Sequence, residues 1–315
     1  MKISVAVVTY NHEPYIRQAL DSVFAQQTSH DYEVVIGDDR STDDTHRIVQ
    51  EYAGRQRDRV QLLLHEQNLG CTRNAQRTIN ACRGEYLALI DGDDYWTDPL
   101  KLQRQADYLD AHPTCALSFH QVAALDEQGQ HDWLLVPDDQ PGRCDMAALL
   151  ADAMVPTGSM MMRRRCLSPL PDWFGRAYPP DLALKALCAD QGTLDYLEQT
   201  MSVYRQHGGS WTSTGQEQRL QAMIGVYGML QRHFGGRYRR WLRRAMAKQH
   251  LALAVEAEKR GDPGLARRRL FRALAIAPLG KRFAEGQWRT AARLLFPRIY
   301  RSLKHGHAAA EGTPS

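Results

Sequence analysis

The sequence predicts an α/β protein: a mixed, mainly parallel sheet with flanking helices, followed by an all-helical appendage. Two observations carry this reading. Over the first hundred residues, short apolar runs alternate with amphipathic stretches, as right-handed β–α–β crossovers require in a sheet covered on both faces. Beyond Gln216 only helical periodicity remains, interrupted at Gly261-Asp262-Pro263-Gly264.

Lys2–Thr9 is the first strand, because Ile3, Val5, Ala6, Val7 and Val8 leave it no polar face. Pro14 stands where a first helical turn tolerates it, and Ile16, Ala19, Leu20 and Val23 then recur at helical spacing. Glu33–Gly37 is a second strand. Ser41-Thr42-Asp43-Asp44 follows with a hydroxyl ahead of a carboxylate, the signature of a helix start. Val60–Leu64 is a third strand, Thr72–Cys82 a helix and Glu85–Ile90 a fourth strand. Asp98-Pro99 caps a further helix carrying Leu102, Ala106 and Leu109. From Ala116 to His207 the pattern loosens into shorter strands and loops. Met160-Met161-Met162 reads there as an apolar strand, and Arg163-Arg164-Arg165 as a solvated charge run.

The chain has 315 residues, 43% of them hydrophobic and 24% charged, ample for one large domain with an appendage. No run approaches the roughly 18 apolar residues of a membrane span. The apolar stretch at the start is too short for a secretory signal, so cytoplasmic residence is expected. Six scattered cysteines without a CxxC pair suit reduced, mostly buried thiols. Charge is uneven: residues 226–315 hold 20 Lys and Arg against 5 Asp and Glu, while residues 1–225 hold 20 against 31. An acidic half is joined to a basic tail.

Three strand ends carry polar or acidic clusters: Thr9-Tyr10-Asn11, Asp38-Asp39 and Asp91-Gly92-Asp93-Asp94. In mainly parallel sheets ligands gather at the carboxyl ends of the strands. Three carboxylates within four residues repel one another unless a cation sits among them, and oxygen-only ligands suit Mg²⁺ or Mn²⁺. An acidic turn that caps the next helix is the plainer alternative. For Asp38-Asp39 the plainer alternative is turn chemistry before Ser-Thr. Neither the GxGxxG fingerprint nor the GxxxxGK[ST] loop occurs, which argues against hydride transfer and against a P-loop kinase.

Val7-Val8-Thr9-Tyr10-Asn11, Ala19-Leu20-Asp21-Ser22-Val23 with Gln26-Gln27, and the run from Glu33 to Thr45 strongly resemble family 2 of the nucleotide-sugar glycosyltransferases. Asn68-Leu69-Gly70, Arg73-Asn74 and the run from Gly84 to Asp94 continue the likeness in order and spacing over roughly residues 1–215. Each motif alone is weak; the ordered set is specific. The resemblance implies a Rossmann-like fold of the GT-A type over residues 1–215; helical periodicity and composition place a basic helical region over 216–305 and a disordered tail over 306–315.

It further implies an inverting, metal-dependent enzyme of cell-surface polysaccharide synthesis. Such an enzyme moves a sugar from a nucleoside diphosphate sugar, a UDP-sugar by preference, to a hydroxyl of a glycan or lipid-linked acceptor. By this likeness Asp39 and the backbone of Thr9, Tyr10 and Asn11 hold the base, Arg73 lies near the ribose or diphosphate, and Asp91 faces the ribose. Asp93 or Asp94 binds Mg²⁺ or Mn²⁺, and His207, in Val203-Tyr204-Arg205-Gln206-His207, completes the metal shell or meets the diphosphate. Asp181 is the candidate catalytic base, where Pro180 departs from the family's usual preceding residue; its plainer role is a helix N-cap. Gly208-Gly209-Ser210-Trp211 reads as a flap.

The basic helices, with Arg237, Arg239, Arg240, Arg243, Arg244 and Arg267-Arg268-Arg269, suit either an anionic membrane surface or an appendage whose apolar stripes pack together. Arg289, Arg293, Arg298, Arg301 and Lys304 continue the charge, and no nucleic-acid motif accompanies it. Two other functions stay open at this point. One is a nucleotidyltransferase making a nucleotide sugar; the other is a non-catalytic scaffold on a decayed transferase fold.

Overall fold

The computed structural model describes residues 1–126, 131–277 and 293–295. It divides into two compact units, Met1–Thr214 and Gly215–Ser315. In the first, β1 (Ile3–Thr9), α1 (Ile16–Phe24), β2 (Tyr32–Asp38), α2 (Thr45–Arg55), β3 (Val60–Leu64), α3 (Cys71–Ala81) and β4 (Tyr86–Asp91) alternate as the apolar runs require. There follow β5 (Tyr95–Trp96), α4 (Lys101–Ala111), β6 (Cys115–Leu125), β7 (His131–Leu134), β8 (Arg143–Cys144), α5 (Met146–Ala151), β9 (Met161–Arg163), α6 (Pro180–Ala189) and β10 (Thr193–Arg205). The sheet runs β3-β2-β1-β4-β9-β6-β10-β5, with β7 on β6 and β8 on β10. Strands β3, β2, β1 and β4 are parallel, as are β6 and β10; β9 runs antiparallel to β4 and β6. β1 and β2 are buried along their whole length, which is why they carry no polar face.

Several local expectations change. The first helix begins at Ile16, with Pro14 in the preceding turn. Ser41 does not start α2: its hydroxyl donates to Asp38 at 2.5 Å, and Asp43 Oδ1 instead accepts the Thr45 N–H. The region from Ala116 to His207 holds the two longest strands, β6 and β10, rather than short ones. Their polar residues disguise them. Ser118, His120 and Gln121 of β6 are buried, and the β6–β10 pairing shifts register between Leu197 and Ser202. Arg163 is also buried: its guanidinium donates to the carbonyls of Cys115, Leu109 and His112 and to Tyr86 Oη, so only the later arginines fit a solvated run. All six cysteines are free thiols, four of them buried.

The second unit contains α7 (Gln216–Phe234), α8 (Arg239–Lys259) and α9 (Pro263–Ile276). The Asp262 carboxylate caps α9 through Leu265 N at 2.8 Å. Ala247, Leu251, Ala254 and Ala257 of α8 pack on Ala266, Leu270 and Ala273 of α9, so these apolar stripes cover each other. Some of the basic residues are used internally. Arg243 donates to the Ile276 and Ala275 carbonyls at the end of α9, and Arg260 pairs with Glu217. Among the described residues no helix is long and apolar enough to cross a membrane. Arg289, Arg298, Arg301, Lys304 and the tail over 306–315 lie outside the described residues.

Candidate active site

Strand register brings the acidic ends together. Thr9 at the end of β1 stands beside Asp38 of β2, and Val8 stands beside Asp91 of β4. The turn after β4 crosses close to β1. A Cβ on Gly92 would lie 2.6 Å from Thr9 Oγ1 and 2.8 Å from His12 Nδ1, so the crossing requires glycine.

On the β2 side the carboxylates are satisfied by the fold. Asp38 accepts from the Ser41 hydroxyl and meets His46 Nδ1 at 2.9 Å. Asp39 accepts the backbone N–H groups of Leu69 at 2.7 Å and Gly70 at 2.9 Å, which holds the loop entering α3. Asn74 ties the same corner together by donating to Gly37 O and accepting from His65. Thr9 is buried, while Tyr10 and Asn11 are exposed. Asn11 has a left-handed backbone (φ 52), and its side-chain oxygen accepts the Thr42 N–H at 2.8 Å, stitching the two strand-end loops together. Arg73, in the first turn of α3, is exposed.

The β4 side is crowded. Asp93 Oδ2 lies 2.9 Å from His207 Nε2 and 3.7 Å from His12 Nε2. Burial pushes Asp93 up, but the His207 hydrogen bond and the charge of His12 hold it below the usual carboxylate range. Asp91 is pushed up to about 8, first by burial and then by the charges of Asp93 and Asp181. Asp94 is raised well above its ordinary value, by burial and then by Asp93 and Asp91. Its Oδ1 accepts the Arg205 N–H at 2.9 Å, and a Cβ on Gly158 would sit 3.8 Å from its Oδ2. Asp94 thus faces Arg205 and the Gly158 turn, and Asp93 alone of the two meets His207.

Asp181 occupies the first turn of α6 behind Pro180. The N-cap position is Pro179, and no side chain caps the helix, so the capping role for Asp181 is excluded. Its carboxylate pairs with Lys185 Nζ at 2.5 Å, one turn on. The Cys71 thiol at the start of α3 marks where the carboxylates converge. Crowded by protein though open to solvent, it is pushed up to about 12 by that crowding and then by Asp91, Asp181, Asp39 and Asp93.

Sequence reasoning gave no role to four residues that build this site. His12 Nδ1 lies 3.2 Å from Thr9 Oγ1. The Tyr15 ring lies 4.8 Å from that of His207. Arg205 donates to the Asp93 carbonyl and lies over the Tyr15 and Tyr95 rings, while Lys185 holds Asp181. For Tyr15 and Arg205 only distant partners reveal the role, since no short motif links either to His207 or Asp93.

Among the described residues no group of three or more His, Cys, Asp and Glu side chains is gathered to hold a metal. Mg²⁺, however, commonly takes one or two carboxylates together with substrate phosphates rather than a full protein cage. Asp93 and His207, an oxygen and an imidazole nitrogen facing each other beside further buried carboxylates, fit such a partial shell.

A mainly parallel sheet whose central strands deliver carboxylates to one crevice defines a class: α/β proteins that bind a ligand at the carboxyl edge of the sheet. The model of Glycosyl transferase family 2 matches residues 4–168, and the chain belongs to that family. The chain is 41% identical over 218 residues to the uncharacterized protein Rv1520 of Mycobacterium tuberculosis, a match covering 69% of this chain and 62% of that protein. It therefore spans less than two thirds of that relative's length. Among solved structures, S. aureus TarS 1-349 in complex with UDP superposes with a TM-score of 0.66 at 18% identity, over 97% of this chain and 92% of that one. The mannosyltransferase PcManGT of Pyrobaculum calidifontis, in complex with GDP-Man and Mn²⁺, gives 0.61 at 20%, over 98% and 84%. These likenesses show a GT-A-type fold. Family membership sets aside the nucleotidyltransferase.

Proposed function

We propose that the chain transfers a glycosyl group, with inversion, from a nucleoside diphosphate sugar to an acceptor hydroxyl. The observation that carries this reading is the strand register that sets Asp91 and the Asp93–His207 pair beside Thr9, with Asp38 and Asp39 at the neighbouring strand end. In this proposal Asp39 and the Thr9–Asn11 turn frame the base, Arg73 lies near the ribose or diphosphate, and Asp91 receives the ribose. Asp93 and His207 hold Mg²⁺ or Mn²⁺, with Asp94 positioning the Arg205 backbone behind them. A divalent cation there supplies positive charge against the departing diphosphate. Asp181 accepts the acceptor hydroxyl's proton as that oxygen bonds to the anomeric carbon and the bond from that carbon to the diphosphate breaks. Lys185 keeps the Asp181 carboxylate oriented. One base and one displacement fit inversion.

A UDP-sugar is the donor we favour, supported by the UDP bound to TarS; the GDP-Man bound to PcManGT makes a GDP-sugar the next to test. We assign the acceptor to a glycan or lipid-linked hydroxyl in surface polysaccharide synthesis. The basic helices would hold the protein at the inner face of an anionic membrane by charge, since the stripes of α8 and α9 are occupied with each other. Cosedimentation of the full chain with anionic vesicles at low salt, lost at high salt, is the expected result; binding to neutral vesicles alone contradicts it. For the reaction, the chain is incubated with a panel of nucleotide sugars and Mn²⁺. Release of nucleoside diphosphate from one donor supports transfer, and none from any donor leaves a non-catalytic scaffold.

A further inference from the structure

Two aromatic rings border the cleft in a way that the donor chemistry does not use. Tyr178 lies in the loop before α6, between Phe174 and Ala177, which are fully buried, and the helix that carries Asp181. Thr72 Oγ1 donates to the Ala177 carbonyl at 3.2 Å and fixes this loop against the start of α3. Tyr178 is nevertheless 44% exposed. The second ring, Trp211, opens a short 3-10 turn, Trp211–Ser213, after β10. Its segment is braced by its own hydroxyls: Ser210 donates to His207 O at 2.8 Å, and Ser213 to Gly208 O at 2.8 Å. His207 in turn fixes the segment to Asp93.

The two ring centroids are 5.1 Å apart at 77°. Edge-to-face rings form an apolar corner rather than a closed stack. Along the chain, Tyr178 stands three residues before the proposed base, and Trp211 four residues after His207, which meets Asp93. The base frame at Thr9, Asn11 and Asp39 belongs to other loops.

We propose that Tyr178 and Trp211 form the acceptor platform, on which a pyranose of the acceptor glycan stacks the apolar C–H face of its ring. This rests on the transferase reading above and adds a substrate class to it. A sugar offers hydroxyls around its rim and C–H groups on its faces, so an aromatic corner made of an exposed Tyr178 and a half-buried Trp211, on segments that also carry Asp181 and His207, matches both parts. The rings cover the apolar face while Asp181 meets a rim hydroxyl. Such a platform favours a saccharide over a small alcohol, and it sets which hydroxyl reaches the base.

The test uses the full chain, as wild type and as Tyr178→Ala, Trp211→Ala and Tyr178→Phe. Donor hydrolysis in Mn²⁺ without acceptor is measured first. Its stimulation by cello-, chito- and manno-oligosaccharides follows, along with quenching of tryptophan fluorescence by the same sugars. The platform predicts a KM for the stimulating sugar raised about tenfold or more in both Ala variants, a larger change than any in donor hydrolysis or UDP affinity. Tyr178→Phe retains the ring and stays near wild type, while Trp211→Ala loses the quenching. An unchanged sugar KM in the Ala variants overturns the platform, as does an equal loss of hydrolysis and UDP binding, which would place the rings on the donor. Absence of both quenching and stimulation in the wild type overturns it too. Quenching without nucleoside diphosphate release from any donor overturns the transferase reading and leaves the sugar site standing.

Discussion

β2 and β4 both end in buried aspartates, yet the two ends are built on opposite plans. Asp38 and Asp39 have donors supplied by their own fold: a serine hydroxyl, an imidazole and two backbone N–H groups. Asp91, Asp93 and Asp94 crowd one another, and burial with mutual repulsion drives Asp91 up to about 8 and Asp94 higher still than its ordinary value. A buried carboxylate is therefore not in itself a functional sign. What distinguishes the β4 end is that a positive ligand would relieve it, whereas the carboxylates of the β2 end already have hydrogen-bond donors.

The contrast is sharpest in substitutions. Asp93→Ala is expected to lower nucleoside diphosphate release about a thousandfold or more, because the diphosphate loses its charge partner. Thermal unfolding of the same variant should change little, because the lost hydrogen bond to His207 is offset by relief of the raised Asp91 and Asp94. A large fall in melting temperature would make the β4 end a scaffold like the β2 end. Asp181→Asn should slow transfer about a hundredfold or more while UDP affinity, measured by calorimetry, is retained; transfer at the parental rate would mean another base. Asp39→Ala should weaken donor binding through the lost base contact and, unlike Asp93→Ala, also destabilise the fold. It leaves the Leu69 and Gly70 N–H groups without partners and costs about 2–4 kcal/mol in chemical denaturation.

A further effect, smaller per pH unit, concerns a buried amine. Lys101 is fully buried, over the Trp96 ring and donating to Gln105 Oε1 at 2.6 Å, and burial lowers it from 10.5 to about 7. Its folded value lies below its unfolded one, so between them the unfolded chain binds the extra proton and stability rises with pH. The slope is about 1.4 kcal/mol per pH unit at most. Lys101→Met should remove this rise from unfolding curves measured between pH 7 and pH 10, with the acidic cluster untouched.

Much of the sheet and its acidic edge was legible in the residues. Val5–Val8 and Leu87–Ile90 are apolar on both faces, which forces buried parallel strands and delivers Thr9 and Asp91 to one end. Strands β6 and β10 were not legible, because their buried polar groups find partners far away in sequence: Gln105 Nε2 donates to Ser118 O, and Gln121 Nε2 to Val136 O. The same holds within the site. Asp93 is evident from its spacing, but that it rather than Asp94 meets His207 depends on where Arg205 puts its backbone N–H, 111 residues away. Asp181 looked like a helix cap because Asp commonly is one; Pro179 and Pro180 instead shift the helix start ahead of it.

The most direct measurement of the central claim is calorimetric titration of UDP into the wild type and Asp93→Ala, each with Mn²⁺ and with EDTA. Tight binding by the wild type only with Mn²⁺, and weak binding by Asp93→Ala that ignores the metal, is the predicted result. Equal Mn²⁺-dependent affinity in both proteins would contradict it.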